Sequence, residues 1–301
     1  MAESDRNAIS KSSNTVMNII FIVVCILFLI PIWLVVISSF TDETSLVQNG
    51  YGFWPQKWSV EAYGYLFAKG SIVGYAYKNT IISTLAGTVA CMISVGLYAY
   101  PLSRSDFKFR NFFTFFSFFT MLFGGGMVAF YVTTRQIVGI GNTIWALFLP
   151  SSFSAYWVII MRTFYKSNVP EAILESARID GAGEWRTYLQ IVLPLSKPGL
   201  ATVALFAAVG IWNNFNNCLL FIDDTKNYNL QYMIYSLMQN IRFLRENAAK
   251  MGSAALEAAA NLPSETFRMA MAVITVGPII LAYPFFQRYF IKGLTIGAVK
   301  G

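Results

Sequence analysis

The sequence predicts an all-α integral membrane protein with six transmembrane helices, on three observations. Of the 301 residues, 56% are hydrophobic and only 12% are charged, whereas about a quarter of the residues in soluble domains are charged. Six apolar stretches are each long enough to cross a bilayer as a helix. The basic residues behind the net charge of +7 are scattered between those stretches, which is typical of membrane topology and not of a nucleic-acid-binding surface.

The first predicted span covers residues 16–40 and contains no charged residue. A cleaved signal peptide is the alternative for this segment, but its apolar core would be shorter and a small-x-small cleavage site would follow. Neither feature fits, so we predict a retained first helix. The segment from Thr41 to Tyr77 is rich in glycine and in aromatic residues suited to a membrane–water boundary, and we place it outside.

The charges between the next spans set the predicted orientation. The second, third and fourth spans are predicted at residues 78–101, 111–132 and 142–164. The segment between the second and third spans contains Arg104, Lys108 and Arg110, whereas the segment between the third and fourth contains only Arg135. Because cytoplasmic segments carry the excess of lysine and arginine, the first of these two segments is predicted to lie inside.

A polar hairpin, residues 168–198, interrupts the apolar pattern after the fourth span. Asn168 can cap a helix, Pro170 suits the first helical turn, and Glu171 reaches back as in a capping box. The Asp-Gly-Ala-Gly segment at residues 180–183 then breaks the helix. We therefore predict that a first short helix ends at this turn.

A second short helix is predicted after the turn. Trp185, Tyr188, Leu189 and Val192 follow the i, i+3, i+4, i+7 spacing of one helical face, and Pro194 prevents the helix from continuing. Two short amphipathic helices joined by a glycine turn can dock in the groove of a partner.

The fifth and sixth spans are predicted at residues 199–222 and 267–291, which places both termini in the cytoplasm. The external segment between them, residues 223–266, is basic, and a simple charge count would place it inside. Long segments follow that rule poorly, so we place this one outside because six spans must alternate between the two sides of the membrane. The alanine-rich residues 247–260 are predicted to form an external helix, and residues 1–301 a single transmembrane domain.

The hairpin carries a recognisable motif. The spacing of Glu175-Ser176-Ala177, Gly181, Ile191 and Leu193-Pro194 resembles the "EAA…G…I-LP" cytoplasmic loop of ABC importer permease subunits. Ser176 departs from that pattern, since alanine is usual there, but serine is small enough for the same close contact. An ordinary amphipathic loop is the alternative interpretation. The resemblance implies a coupling helix that contacts an ATP-hydrolysing subunit through Glu175, Ser176, Ala177, Asp180, Gly181, Ala182, Ile191, Leu193 and Pro194.

The resemblance extends beyond the hairpin. Residues 283–301 are similar to the carbohydrate branch of these permeases, typified by the second membrane subunit of the maltose importer. Residues 261–280 and 123–131 look more like the sub-branch that handles oligosaccharides from complex polysaccharides, including acidic ones. Ala129 departs from that pattern, where proline is usual, so the details of the gate at this point do not carry over.

The resemblance implies a type I ABC importer permease in a bacterial cell membrane. Its expected partners are a second permease subunit in a heterodimer, two ATP-binding subunits and an extracytoplasmic solute-binding protein. Transport would proceed by alternating access. ATP and Mg²⁺ would bind the partner subunits, because the sequence contains no P-loop. The chain is therefore expected to hold no cofactor or metal itself.

Amide side chains are concentrated in the fifth predicted span. Trp212, Asn213, Asn214 and Asn217 lie within one apolar stretch, where amides need polar partners. One interpretation is hydrogen bonding between helices; the other is a sugar path, in which amides bind hydroxyl groups and an indole stacks on a sugar ring. Four asparagines within five positions cannot share one helix face, so a divided role is expected. For Asn213, Asn214 and Asn217 both interpretations stay open.

Two other functions are alternatives. A permease for peptides or amino acids would share the hairpin motif but not the C-terminal segment. A membrane enzyme would need carboxylates or a nucleophile and a base within the spans, yet the predicted spans contain no Asp or Glu and the sequence has no histidine. Gly124, Gly125 and Gly126 are interpreted as close helix packing more than as a kink or a phosphate loop.

Overall fold

The computed structural model describes residues 11–68, 70–247, 250 and 265–298. Regular structure in these ranges is helical, with an isolated bridge between Thr41 and Trp58. The chain divides into two compact units. One comprises the N-terminal part up to residue 69 with Met238–Val276, and the other comprises Gly70–Leu237 with residues 277–301.

The first unit begins with the predicted first span. Helix α1, Lys11–Ser39, is continuous through Pro31, and the side chains of residues 12–29 are all exposed. Two short helices follow, α2 at Glu43–Asn49 and α3 at Glu61–Ala68. A helix over the first predicted span is confirmed, whereas its retention stays a prediction. The glycine- and aromatic-rich segment after it contains helical turns that the sequence did not indicate.

A carboxylate of this segment caps a distant helix of the same unit. Helix α15, Glu265–Ala298, begins in the first unit. The Glu43 carboxylate accepts hydrogen bonds from the backbone N–H groups of Glu265 and Thr266 at 3.0 and 2.9 Å. It also accepts one from the Thr266 hydroxyl at 2.6 Å. Glu43 thereby satisfies donors that the first turn of a helix leaves without partners.

The second unit is built around one long helix. Helix α4, Gly70–Ser103, packs against α8, Ala155–Asn168, and α12, Lys197–Trp212. Glycine permits the close approach, because a Cβ at Gly87 would lie 2.7 Å from the Ile211 side chain. The core of this unit lies where α4 meets the other two helices and combines aliphatic side chains with buried tyrosines. Its fully buried members include Val95, Ala99, Val158, Met161 and Val203.

Two of the predicted crossings, the third and the fourth, are bent, and a third bend lies where the hairpin leads into the fifth. The remaining helices are α5 Arg110–Leu122, α6 Gly126–Val132, α7 Ile144–Phe148, α9 Glu171–Ile179, α10 Glu184–Thr187, α11 Leu193–Leu195, α13 Asn216–Phe221 and α14 Leu230–Asn247. The bends are 112° between Arg110–Leu122 and Gly126–Ile137, 51° between Ile144–Ser151 and Ala155–Asn168, and 78° between Glu184–Leu195 and Lys197–Trp212.

The glycines of the third span form the kink that was the alternative to close helix packing. Gly124 and Gly125 lie in the break between α5 and α6, and Gly126 has φ +78°. A Cβ at Gly124 or Gly126 would meet nothing within 4 Å in this chain. The glycines therefore accompany the bend in the backbone, and Gly126 adopts its positive φ at little cost.

Among the described residues, two helices are long and apolar enough to cross a membrane, and up to five segments are if each bent pair counts as one span. The six-span count stays a prediction. Helix α15 covers the sixth predicted span and continues through Pro278 and Pro284. The predicted helix at residues 247–260 lies almost entirely outside the described residues, whereas α14 occupies part of the same predicted external segment.

Candidate functional site

The first arm of the hairpin begins later than predicted. Asn168 is the last residue of α8, and its side-chain amide donates to the Phe164 carbonyl oxygen at 3.1 Å. Helix α9 starts after Pro170, so the predicted cap at Asn168 is wrong. The residue before a proline is pushed into extended backbone, and Val169 takes that conformation between the two helices. Glu171 accepts a hydrogen bond from the Ser105 hydroxyl instead of completing a capping box.

The turn between the two arms depends on Gly181, whose φ is +76°. The Gly181 N–H donates to the Arg178 carbonyl oxygen at 3.0 Å, and the Ala182 N–H donates to the Ala177 carbonyl oxygen at 2.9 Å. These two bonds form a Schellman motif, which ends a helix at a residue in left-handed conformation. The predicted glycine turn is confirmed, with Asp180 as the C-cap of α9.

The second arm does not stop at Pro194. Helix α10 passes into a π-helical turn, Tyr188–Val192, and Pro194 lies in the short helix α11 after it. The sharp bend comes at Ser196, between α11 and α12. A π-turn has wider spacing than an α-helix, and the proline is accommodated beyond it.

The wider spacing also splits the predicted apolar face of the second arm. Tyr188 and Val192 are buried against the core of the second unit. Trp185 and Leu189 are 68% and 54% exposed. One predicted face therefore supplies two surfaces, one for packing within the chain and one that faces away from it.

The remaining motif residues divide in the same way. Ala177 is buried, and Ile191 and Leu193 pack half-buried against the core. The backbone of Ala182 closes the Schellman motif. The exposed members of the motif are Glu175, Ser176, Asp180, Gly181 and Pro194. Ala177, Ile191 and Leu193 thus pack the hairpin against the rest of the second unit. The exposed motif residues face outward.

Charged groups tie the hairpin to the segment between α4 and α5. Arg178 forms ion pairs with Asp106 and, at 3.0 Å, with Glu184. Hydrogen bonding from Arg178 lowers the pKa of Asp106. A hydrogen bond of 2.7 Å from the Tyr100 hydroxyl, assisted by Arg178, lowers the pKa of Glu184. The carboxylates raise the pKa of Arg178 in turn. These groups line a cavity of about 430 Å³ beside Trp185.

The asparagines of the fifth predicted span lie at a break in the helix. Helix α12 ends at Trp212 and α13 begins at Asn216. The side-chain oxygen of Asn214 accepts a hydrogen bond from the Asn217 backbone N–H at 3.1 Å. The Asn217 amide donates to the Leu147 carbonyl oxygen at 3.1 Å and to the Ser151 hydroxyl at 3.0 Å. Asn214 and Asn217 therefore have hydrogen-bond partners within the chain.

The four candidate residues of the sugar path differ in exposure. Trp212 and Asn217 are 7% and 3% exposed, whereas Asn213 is exposed. The Asn213 amide donates to the Val209 carbonyl oxygen at 2.9 Å, and its side-chain oxygen accepts from Gln231 at 3.3 Å. Asn213 is thus the member of the group whose side chain faces away from the protein interior.

Two residues of this region were not predicted. Ser151 accepts the amides of both Asn214 and Asn217, each at 3.0 Å. Asn229 donates to the Asn214 backbone carbonyl oxygen at 2.6 Å and is buried. Ser151 gave no signal in the sequence, because a serine beside a proline is common in loops. Asn229 lies in a segment predicted to be external.

Comparison with known proteins identifies the family. Residues 92–296 match the family described as "Binding-protein-dependent transport system inner membrane component". The chain belongs to this family. The match covers the last part of α4, all of α5 through α14, including the hairpin, and most of α15. Members are permease subunits of transport systems, which work with a second permease, ATPases and a solute-binding protein.

Relatives within the family match over nearly the whole chain. The Polygalacturonan/rhamnogalacturonan transport system permease protein YtcP of Bacillus subtilis is 34% identical over 94% of this chain and 95% of its own length. Protein LplC of the same organism is 35% identical over 96% and 97%. The Arabinooligosaccharides transport system permease protein AraQ of Halalkalibacterium halodurans is 26% identical over 93% and 94%.

A solved structure shares the fold of this family member. It is the crystal structure of a bacterial ABC transporter involved in the import of the acidic polysaccharide alginate. One of its chains matches with a TM-score of 0.74 and 25% sequence identity, over 94% of this chain and 99% of that chain. The helical architecture of this chain is therefore that of an ABC importer permease.

Proposed function

We propose that this chain is a membrane-spanning permease subunit of an ATP-driven importer for oligosaccharides. The observation that carries the proposal is full-length similarity to permeases named for polygalacturonan/rhamnogalacturonan and for arabinooligosaccharides, over 94% and 93% of this chain. The alginate importer supports the same class of substrate. A permease for peptides or amino acids is not favoured by these relatives.

The chain works with partners in this proposal. A second permease subunit completes a heterodimer, two ATP-binding subunits hold ATP and Mg²⁺, and an extracytoplasmic solute-binding protein delivers the sugar. ATP hydrolysis belongs to the partner chains. Transport proceeds by alternating access, in which movement of the ATP-binding subunits opens the permease pair first to one side of the membrane and then to the other.

The hairpin is the coupling element of the proposal. Five large apolar side chains lie exposed on its two arms: Ile173 at 41%, Ile179 at 87%, Trp185 at 68%, Leu189 at 54% and Leu195 at 44%. Apolar surface rimmed by polar residues marks a contact with another protein. Together with the exposed motif residues Glu175, Ser176 and Asp180, these side chains suit the groove of an ATP-binding subunit.

The translocation path is assigned to the break between α12 and α13. Asn213 offers an exposed amide for sugar hydroxyl groups. The hydrogen bonds of Asn214 and Asn217 support a role in keeping the break open, since unwound backbone in a membrane is tolerated where it lines a cavity or has partners. Trp212, the last residue of α12, is buried beside them.

Orientation completes the proposal. The basic segment around Lys108 and the hairpin face the cytoplasm, both termini lie inside, and α2, α3 and α14 lie outside. The lysine and arginine distribution supports this arrangement. The membrane is that of a bacterial cell.

The proposal is tested with the complete complex in proteoliposomes. The complex is assembled with the second permease, ATP-binding subunits and solute-binding protein encoded beside this chain. Uptake of labelled oligogalacturonides, arabino-oligosaccharides and short peptides is measured with and without ATP. We expect ATP-dependent uptake of an oligosaccharide that requires the solute-binding protein. ATP-dependent uptake of peptides with no uptake of either sugar would contradict the proposed function.

A further inference from the structure

The charged groups around Arg178 join three separate segments of the second unit. Arg178 lies in the last turn of α9, and Glu184 is the first residue of α10. Asp106 belongs to the segment between α4 and α5. The Arg178 Nη2 atom contacts one oxygen of Asp106 and lies 3.0 Å from Glu184 Oε1. One guanidinium therefore holds both arms of the hairpin and a segment that is far away in sequence.

The same carboxylates are held from the end of α4. The Tyr100 hydroxyl donates to Glu184 Oε2 at 2.7 Å. Arg104 Nε lies 3.5 Å from Asp106 Oδ1. Tyr100 lies in the last turn of α4 and Arg104 directly follows the helix, and both residues are buried. Each carboxylate thus contacts Arg178 through one oxygen and a group at the end of α4 through the other, Glu184 by a hydrogen bond from Tyr100 and Asp106 by a longer ion pair with Arg104.

Stability alone does not account for this arrangement. The side chains of Arg178, Asp106 and Glu184 are 44%, 41% and 58% exposed. Exposed ion pairs contribute little to stability because water and salt screen them. A guanidinium does, however, fix geometry, since its N–H donors lie in one plane, and here the two donors of Nη2 face one carboxylate each. The contribution of Arg178 is therefore to orientation.

We propose that Arg178 is a positioning residue that fixes the hairpin to the end of α4, so that displacement of the hairpin is passed to α4. The inference rests on the proposed coupling role of the hairpin. The turn at Gly181 sets the local angle between the arms, but its motif does not reach α4. The ion pairs of Arg178 connect that turn to the central helix of the second unit. Because α4 packs against α12, a shift of α4 reaches the break at Asn213.

The test compares three variants in the complete complex. Arg178→Gln removes the guanidinium with its charge, and Asp106→Asn removes the negative charge that pairs with Arg178. Arg186→Gln is the matched control, because Arg186 lies on the same hairpin but bonds along its own arm, to Gln190 at 3.1 Å. The measured quantities are the yield of assembled complex, sugar taken up per ATP hydrolysed, and stimulation of ATP hydrolysis by the loaded solute-binding protein.

We expect Arg178→Gln and Asp106→Asn to assemble and to lower uptake per ATP at least about fivefold, while Arg186→Gln keeps the wild-type ratio. The double variant is expected to be no worse than either single variant, because both remove the same connection. A wild-type ratio in Arg178→Gln overturns the inference, as does independent addition of the two effects or loss of assembly in Arg178→Gln. Absence of sugar uptake by the wild-type complex overturns the proposed function and this inference together.

Discussion

At the scale of single residues, the backbone conformation of Gly181 shapes the turn of the hairpin proposed to couple ATP hydrolysis to transport. Its φ is +76°, and a Cβ there would meet nothing within 4 Å. A side chain would therefore cost backbone strain and not a collision, about 1–2 kcal/mol for an ordinary L-residue in left-handed conformation. We expect Gly181→Val to distort the turn and to lower sugar-stimulated ATP hydrolysis, measured in the assembled complex.

Gly183 provides the control for that prediction. It has φ −70° and ψ 162°, and a Cβ there also meets nothing within 4 Å. Valine adopts this extended conformation readily, so Gly183→Val should keep stimulated ATP hydrolysis. Normal stimulation in Gly181→Val would show that the turn conformation does not matter for coupling.

The asparagines at the helix break allow the two interpretations of the fifth span to be separated. Asn217 is buried and bonds to Leu147 and Ser151, so Asn217→Leu should lower the thermal stability of the assembled complex. Amide bonds in membranes contribute about 0.6 kcal/mol on average and up to roughly 2. Asn213→Leu removes an exposed amide, and we expect it to reduce uptake while leaving the melting temperature unchanged. If Asn217→Leu reduced uptake alone and Asn213→Leu lowered the melting temperature, Asn217 would be the residue that contacts sugar and Asn213 the one that stabilises the complex.

Residue roles were predictable from the sequence where one residue type decides them. Gly181 was predicted because few residues other than glycine adopt positive φ cheaply. The cap at Asn168 was predicted wrongly, because α8 continues through it and the neighbouring Pro170 determines where α9 begins. The partners of Asn217 could not be predicted, since Ser151 reaches it only through the fold.

At the scale of elements, hydropathy predicted which segments are apolar and how long they are, but not where those segments bend. A span bent by 112° at Phe123–Gly125 has the same composition as a straight one. The exposed faces of the second arm were also unpredictable, because the π-turn at Tyr188–Val192 changes the spacing on which the expected face depended. The division of the hairpin into two arms was predictable, because a glycine turn separates two clear patterns.

Helix α2 gives a prediction about pH. The Asp42 carboxylate caps α2 through the Ser45 N–H and also binds Thr44 and Lys57. Hydrogen bonding from Thr44 and then Lys57 lowers the pKa of Asp42 from 3.8 to about 2. A lowered pKa means that the stabilisation is present above the ordinary value and is lost as pH falls through the folded value. We expect α2 amides to lose hydrogen-exchange protection between about pH 4 and 2.

The matched variant for this prediction is Asp42→Asn. It keeps an acceptor for the Ser45 N–H but removes the charge that faces Lys57. Its exchange protection in α2 should not depend on pH in that range, whereas Asp42→Ala should lower protection throughout, by about 1 kcal/mol as for other lost N-caps. Equal pH dependence in wild type and Asp42→Asn would assign the titration to another group.

At the scale of the whole molecule, the proposed orientation predicts which sites an external reagent reaches. In a variant without Cys25, which is exposed, a cysteine at Ser105 or Gln190 should resist an impermeant thiol reagent applied from outside. A cysteine at Gln56 should react. Thr187 is unsuitable for this test because it is only 3% exposed and would resist labelling from either side. External labelling at Gln190 would reverse the orientation.

The class of the whole molecule was predictable, whereas its division was not. Composition and the hairpin motif placed it among membrane permeases, because a low charge content combined with long apolar stretches is typical of chains that cross a bilayer. The two compact units could not be predicted, since residues 238–276 group with the N-terminal part despite their distance in sequence. The protein that covers the exposed apolar side chains of the hairpin could likewise not be predicted from the spacing of those residues.

The exposure of α1 over residues 12–29 relates this protein to the thickness of its bilayer. Its candidate span, Ser12–Ser39, has 28 residues and is about 42 Å long at helical rise, against a hydrocarbon core of about 30 Å. With side chains facing away from the chain over residues 12–29, the mismatch is absorbed by tilt, by a bend at Pro31 or by deformation of the lipid. The tilt or bend of α1 is therefore expected to change with the acyl-chain length of the surrounding lipid.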